Sequence, residues 1–329
     1  LSTLFLTGGT GFVGSHTARR FLSEGWRVKA LVRRPERPGL LPSEAEIVAG
    51  DLLAEKTYVR AMEGCDAVVH AAGVTKARAL EDYLRTNALG TASAARAAAS
   101  ACSGAKFVLV SSQAAAGPSL GRPVEESDAA HPVSWYGKSK LEGERAVAES
   151  FRGPWTVVRP CVVYGPGDAG LFPLFALAAR GWAPILAGGR RQIQLIAAQD
   201  LARVLVAAAG RKDLSGRKGF AASETVTLGE LAREIGSFRS PPARALSVPA
   251  TVLRLAGLAE SLREFVTRRS RPFNRDKARE VLAGDWTCDA APFLSELGVS
   301  NLTPWTSGLL ETWRWYVREG WLTAGFGEL

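Results

Sequence analysis

The stretch LTGGTGFVGS, residues 6–15, places glycines at 8, 11 and 14 between a short apolar run, Thr3 to Leu6, and an amphipathic one, Val13 to Ser23. An apolar strand that meets a helix across so tight a turn fixes the first unit of the fold as strand, glycine turn and helix. The three glycines serve different ends. Gly8 permits the turn, Gly11 lets the backbone approach a pyrophosphate, and Gly14 lets the helix pack closely on the strand. Thr10, Phe12 and Val13 lie among them, where N–H groups at the helix start would meet negative charge. Alone the pattern is a weak signal; directly after the first strand it reads as a dinucleotide cradle.

The same alternation continues. Apolar runs too short for helices, at Thr3–Leu6, Arg27–Val32, Ala45–Val48, Ala67–His70, Lys106–Val110 and Trp155–Val158, are rich in β-branched residues and predict strands. Between them Val13–Ser23, Lys56–Met62, Tyr83–Ala101 and Ser139–Phe151 predict helices. Parallel strands need crossover helices, so the order implies a Rossmann-type, doubly wound α/β fold with a parallel sheet covered on both faces. The 329 residues, 47% hydrophobic, suffice for one large α/β domain with a smaller lobe. The expected division is a nucleotide-binding domain over 1–165, with segments returning near 190–222, and a mainly helical substrate lobe over 166–329. After Pro160, VVYGPGDAG reads as a loop, LFPLFALAARG as a helix, and QIQLIAAQDLARVLVAAA as a strand running into a helix. From about residue 211 the chain reads as helical and basic, and Trp313, Trp315 and Trp321 read as core of the small lobe.

A net charge of +9 would attract anionic partners, but the arginines are spread along the chain, which favours a basic surface suited to anionic cofactors and substrates over a nucleic-acid site. The apolar stripe and basic end of TVLRLAGLAESLREFVTRR could suit a membrane surface, but packing on the main domain explains them as well. No run is long and apolar enough for a membrane span and no signal-peptide series opens the chain, so a cytoplasmic protein is expected. Cys65, Cys102, Cys161 and Cys288 are scattered and only three histidines accompany them, so neither a disulfide framework nor a metal site is expected.

Where a carboxylate would bind the ribose hydroxyls of NAD, at the end of the second strand, the chain has Arg33 and Arg34. A guanidinium there grips a 2′-phosphate that a carboxylate would repel, so NADP(H) is the preferred cofactor and NAD(H) the alternative. Asp51 and Leu52 after the third strand would meet the adenine. Ala71, Ala72 and Gly73 after the fourth are small enough to let the cofactor lie against the backbone.

Ser111 and Ser112 end the fifth strand, and WYGKSK carries Tyr136 and Lys140 one helical turn apart on one face. A tyrosine titrates near 10; a neighbouring ammonium and an oxidised nicotinamide ring would both favour its phenolate. Ser112 would hold a substrate oxygen near Tyr136, which moves the proton while the nicotinamide moves hydride. His70, ending a buried strand, reads as structural, and His131 as a candidate substrate contact.

With these residues the chain resembles the extended short-chain dehydrogenase/reductase superfamily, the branch of NAD(P)-dependent epimerases and dehydratases. The resemblance lies in TGGTGFVGSH, GDL, HAAG, NALGT, VSSQAAAG, YGKSK and RPCVVYGPGD, in that order over about residues 3–210. It implies a Rossmann domain, a small C-terminal substrate lobe, a Ser112–Tyr136–Lys140 triad, Asn87 near the cofactor, Pro160 to Val163, with Val162 between them, along the nicotinamide, and a homodimer through the Tyr-x-x-x-Lys helix. Departures from that pattern bear on substrate. Sugar-nucleotide enzymes usually have asparagine where Val162 stands and commonly arginine near Ile193, and the acid pair of some dehydratases is replaced by Gln113 and Ala114. Arg190 and Arg191 are the remaining candidates for a substrate phosphate. The reading is an NADP(H)-preferring oxidoreductase acting on an alcohol or carbonyl of a largely apolar small molecule. A sugar-nucleotide epimerase or dehydratase is the alternative, and a non-catalytic NADP(H) sensor ranks third because Tyr136 and Lys140 are both present.

Overall fold

The computed structural model describes residues 1–267 and 275–322. Arg268 and Arg269, which end the basic stripe read from the sequence, and the last seven residues of the expected lobe lie outside them. The first strands and helices are β1 (Thr3–Thr7), α1 (Phe12–Ser23), β2 (Arg27–Val32), β3 (Glu46–Ala49), β4 (Ala67–His70), α2 (Leu80–Leu84), α3 (Gly90–Ala101), β5 (Lys106–Val110), α4 (Gln113–Ala116), α5 (Trp135–Ser150) and β6 (Trp155–Pro160). They continue with β7 (Val162–Tyr164), α6 (Phe172–Ala179), β8 (Trp182–Leu186), β9 (Gln192–Ala197), α7 (Ala198–Gly210), β10 (Arg217–Ala221), β11 (Thr225–Thr227) and α8 (Leu228–Ser237). The last are β12 (Arg244–Val248), α9 (Ala250–Thr267), α10 (Arg275–Leu282), α11 (Ala291–Glu296) and α12 (Trp305–Arg318).

Seven strands form one parallel sheet in the order β10-β6-β5-β4-β1-β2-β3. Side chains alternate between faces, so Leu4, Leu6, Val69 and Val108 meet α1 and α7 through Phe21, Leu201 and Leu205. Phe5, Val68, Phe107 and Leu109 meet the other layer through Tyr58, Ala94, Ala98 and Val147. Burial on both faces is why these strands read as unbroken apolar runs. The strand order reverses between β1 and β4, and the crevice at that reversal, beyond the carboxyl ends of the strands, is where such sheets bind ligands.

The second part is less helical than its sequence suggests. The VVY run is strand β7, not loop, because it pairs with β9, which β11 joins antiparallel. β8 and β12 form a separate parallel pair, and β10 extends the main sheet beside β6. A third core of Tyr164, Phe175, Leu195, Leu231, Ile235, Leu309 and Tyr316 lies among these elements, with Trp313 and Trp315 packed against it. Trp321 is exposed on one side and meets Phe172 and Tyr316 with its ring.

Two predicted helices are also broken. Residues 56–62 make short 3₁₀ turns, and the stretch from Tyr83 to Ala101 is split by a π-helical turn, Arg85–Leu89, between α2 and α3.

Candidate functional site

Gly8 adopts φ +75°, and a Cβ there would stand 2.5 Å from the amide nitrogen of Ala72, so the loops after β1 and β4 touch backbone to backbone. At Gly14 a Cβ would come within 2.1 Å of the Gly8 carbonyl oxygen; only glycine lets α1 start this close to the strand. The Gly11 amide donates to the Gly8 carbonyl at 3.0 Å. Gly11 also occupies the N-cap of α1 without a capping side chain, and no acidic residue lies in the first turn. The first amides of α1, at Phe12 and Val13 beside Thr10, are therefore left for an outside acceptor, and an anion suits them. This cradle fits a dinucleotide pyrophosphate.

Arg33 and Arg34 are exposed just past β2, and neither guanidinium has a partner among the described residues. Asp51 is half-buried and turns back on its own loop, its Oδ1 accepting from the Leu53 amide at 2.9 Å. Leu52 packs against Gly90. Ala71 and Ala72 are half-buried, and Gly73 is exposed with its open side toward Asn87 Oδ1 and Lys140 Nζ, 3.1 and 3.7 Å from where a Cβ would be. Pro160 is buried, and Val162 and Val163 are half-buried in β7, paired with Leu195 and Ile196.

Ser112, two residues past β5, caps α4 by accepting from the Ala114 amide at 3.1 Å, and its side chain stands near enough to the Tyr136 hydroxyl to favour the phenolate. Burial pushes the Tyr136 phenol up to about 12; Ser112 pulls it down, while the charges of Glu280 and Tyr83 push it further up. Tyr136 is thus held protonated, ready to give a proton. Lys140 is buried and donates to the Val110 carbonyl at 2.6 Å, and burial lowers its ammonium to about 8 against the opposing pull of Glu144. Serine, tyrosine and lysine converge at the carboxyl end of β5, beside the strand-order reversal.

Asn87 sits in the π-helical turn and is fully engaged. Its Oδ1 accepts from the Val74 amide at 2.8 Å, and its Nδ2 donates to the Val74 carbonyl at 3.0 Å and to Ser139 Oγ at 2.9 Å. It latches the β4 loop to the helix that carries Tyr136 and Lys140. Behind it runs a chain of hydrogen bonds. The Ala72 amide donates to Thr7 Oγ1, Thr7 meets His70 Nδ1 at 2.7 Å, His70 Nε2 meets Thr91 Oγ1 at 3.0 Å, and Thr91 donates to the Asn87 carbonyl. Those directions leave His70 neutral with its proton on Nε2. Burial, with the Lys140 charge adding, drives it down to about 3. His70 is a structural bridge.

Several functional neighbours were missed in the sequence. Glu144 is fully buried, accepts from Ser111 Oγ at 2.6 Å and pairs with the Arg159 guanidinium at 2.9 and 2.7 Å. Its only sequence signal is the four-residue spacing from Lys140. The Asp276 carboxylate, from α10, accepts from the Trp135 amide at 2.9 Å, while Ser134 Oγ accepts from Gly137. This double cap starts α5 at Trp135, four residues before the predicted start. Gln113, immediately after Ser112, is buried with its Nε2 unpaired among the described residues. His131 is not brought to Tyr136 by any contact; its ring meets the Pro118 and Ala129 carbonyls and braces its own loop. Arg190 is exposed and Arg191 half-buried. All four cysteines are free thiols, and no group of three metal-ligating side chains gathers among the described residues.

The chain is 36% identical over 326 residues to the ceramide reductase of Caulobacter vibrioides, covering 96% of this chain and 95% of that one. It is 33% identical over 185 residues to the 4-hydroxy-2-methyl-3-oxo-4-farnesyl-3,4-dihydroquinoline-1-oxide ketoreductase of Stigmatella aurantiaca, covering 54% of each. Among solved structures, MoeE5 in complex with UDP-glucose and NAD shares the fold at a TM-score of 0.75 and 22% identity, over 97% of this chain and 99% of that one. Residues 4–219 match the NAD dependent epimerase/dehydratase family, so the chain belongs to that family and is an enzyme of its oxidoreductase and epimerase group.

Proposed function

We propose that the protein is an NADP(H)-preferring reductase of a ketone on a largely apolar, lipid-like substrate, with Ser112, Tyr136 and Lys140 as its catalytic residues. The observation that carries this reading is the end-to-end likeness to a ceramide reductase, which includes the part of the chain expected to shape the substrate. The free Arg33 and Arg34 pair at the end of β2 supports the 2′-phosphate of NADP(H). The glycine cradle, Ala71 to Gly73, Asn87 and the Pro160–Val163 segment would hold the dinucleotide. When bound, the cofactor supplies the hydride. Ser112 would orient the carbonyl oxygen and Tyr136 would give it its phenolic proton, leaving a phenolate that solvent reprotonates once the product leaves, while Lys140 would hold the cofactor. The division into a nucleotide-binding domain and a substrate lobe, and pairing into a homodimer, belong to the same proposal.

A sugar-nucleotide epimerase would use the same groups, and the likeness to a UDP-glucose complex keeps that reading in the test. Purified protein is given NADPH or NADH with a ketone-bearing N-acyl lipid or with UDP-glucose. Lipid-dependent NADPH oxidation is expected, and Arg33→Ala should weaken NADPH at least tenfold more than NADH, about the worth of one charge-assisted bond. Turnover of UDP-glucose without net NADPH loss would overturn the reductase reading, and equal losses for the two cofactors would overturn the 2′-phosphate clamp.

A further inference from the structure

One face of α9 is apolar on the side turned to water. Leu253 and Gly257, one turn apart, are buried and mark the inner side of the helix. Val252, Leu255 and Leu258 recur every three residues on the outer side and are 48%, 66% and 49% exposed. Ala256 and Ala259 are exposed among them. A helix packed on one side and wet on the other carries polar residues outside; packing explains Leu253 and Gly257 and leaves the outer leucines unaccounted for. The β8–β12 ribbon runs into α9 through Pro249, and its Trp182 and Leu246, 46% and 45% exposed, share one face of the ribbon.

Charge is concentrated here too. Among the described residues from Arg239 to Glu280, Arg239, Arg244, Arg254, Arg263, Arg275, Lys277 and Arg279 stand against Glu260, Glu264, Asp276 and Glu280, a surplus of three. Arg244 and Arg254 have no carboxylate partner among the described residues. Exposed apolar residues with unpaired arginines beside them match an anionic lipid interface, into which the leucines insert while the guanidiniums stay among the headgroups. A second copy of this chain would bring one cationic surplus against another, and like charges oppose that pairing.

We infer that the outer face of α9, with the adjoining β8–β12 ribbon, is a docking surface for an anionic bilayer. α9 packs on α10, whose Asp276 caps the helix of Tyr136, so α10 lies between the docking helix and the element that carries the candidate catalytic residues. The inference goes beyond the proposed reaction and stands without it. A protein that binds vesicles yet turns over sugar nucleotides would keep this surface and lose the reductase reading.

The test is cosedimentation of the full chain with vesicles of phosphatidylcholine alone or mixed with phosphatidylglycerol, at low and at physiological salt. Binding to the mixed vesicles should be at least tenfold tighter than to phosphatidylcholine and should weaken with salt. The double variant L255E/L258E should lose about tenfold or more of that binding, as expected when apolar insertion is removed, while its NADPH binding and melting temperature stay those of the wild type. Failure of the wild type to bind the mixed vesicles, or equal binding to both kinds, would overturn the inference whatever the variant does. Self-association of the wild type that L255E/L258E abolishes would also overturn it and assign the face to a second copy.

Discussion

Tyr136 gains its meaning from what surrounds it. A phenol pushed up to about 12 by burial is protonated at neutral pH, and the nearby Ser112 opposes that shift. If Tyr136 delivers the proton, Tyr136→Phe should cost roughly 10²- to 10⁴-fold in turnover, the usual worth of a placed general acid. NADPH affinity should change less than about twofold, because the hydroxyl is a small part of a large cofactor contact. Turnover assays beside a fluorescence titration decide it, and a Phe variant with more than a tenth of wild-type turnover rejects the role. Ser112, Tyr136 and Lys140 were legible because a strand-ending serine and an i, i+4 pair are local patterns. Glu144 and Arg159 were not. Their buried ion pair depends on α5 lying across the end of β6, which no local spacing encodes.

Among the elements, α5 is the one on which the site depends most, and its start is held from outside. Asp276 adds an acidic cap at an N-terminus whose dipole favours it, 141 residues away in sequence. Asp276→Ala should therefore destabilise the protein by about 0.5–2 kcal/mol, the ordinary cost of losing such a cap. It should also lower kcat more than it raises KM, since Tyr136 lies in the freed turn. Asp276→Asn keeps an acceptor and should restore most of both, and melting curves with steady-state kinetics on the pair check this. Equal kinetics in Ala and wild type would confine Asp276 to stability. The six strands read from sequence are all present within a residue or two; five of them are largely buried parallel strands that announce themselves as apolar runs, while β3 is an exposed edge strand. β7, β8, β11 and β12 have three to five residues each and owe their form to their partners, so their sequences carry little signal. The π-helical turn was equally silent, since it serves to swing Asn87 toward Val74 and Ser139 and has no period of its own.

At the scale of the whole molecule, His70 ties the two sides of the strand-order reversal together, and it does so only while neutral. Its folded value, about 3, lies below the unfolded 6.5, so its contribution is complete above pH 6.5 and is lost as pH falls from there toward 3. Asp168, pushed up to about 6 by burial, acts in the opposite sense over part of that range, so the informative quantity is a difference between proteins. The stability gap between wild type and His70→Leu should narrow by about 2 kcal/mol between pH 7 and pH 5, as read from denaturant melts at each pH. A gap that stays constant would mean that His70 does not carry the linkage. The cap on α5 has a consequence of another kind, for recombination. A C-terminal segment transplanted from a relative without a carboxylate at the place of Asp276 would bring its own pocket and leave the amides of Trp135 and Tyr136 unanswered. The transferable unit is therefore the segment together with the first turn of α5, and a crossover drawn between them divides a single working part.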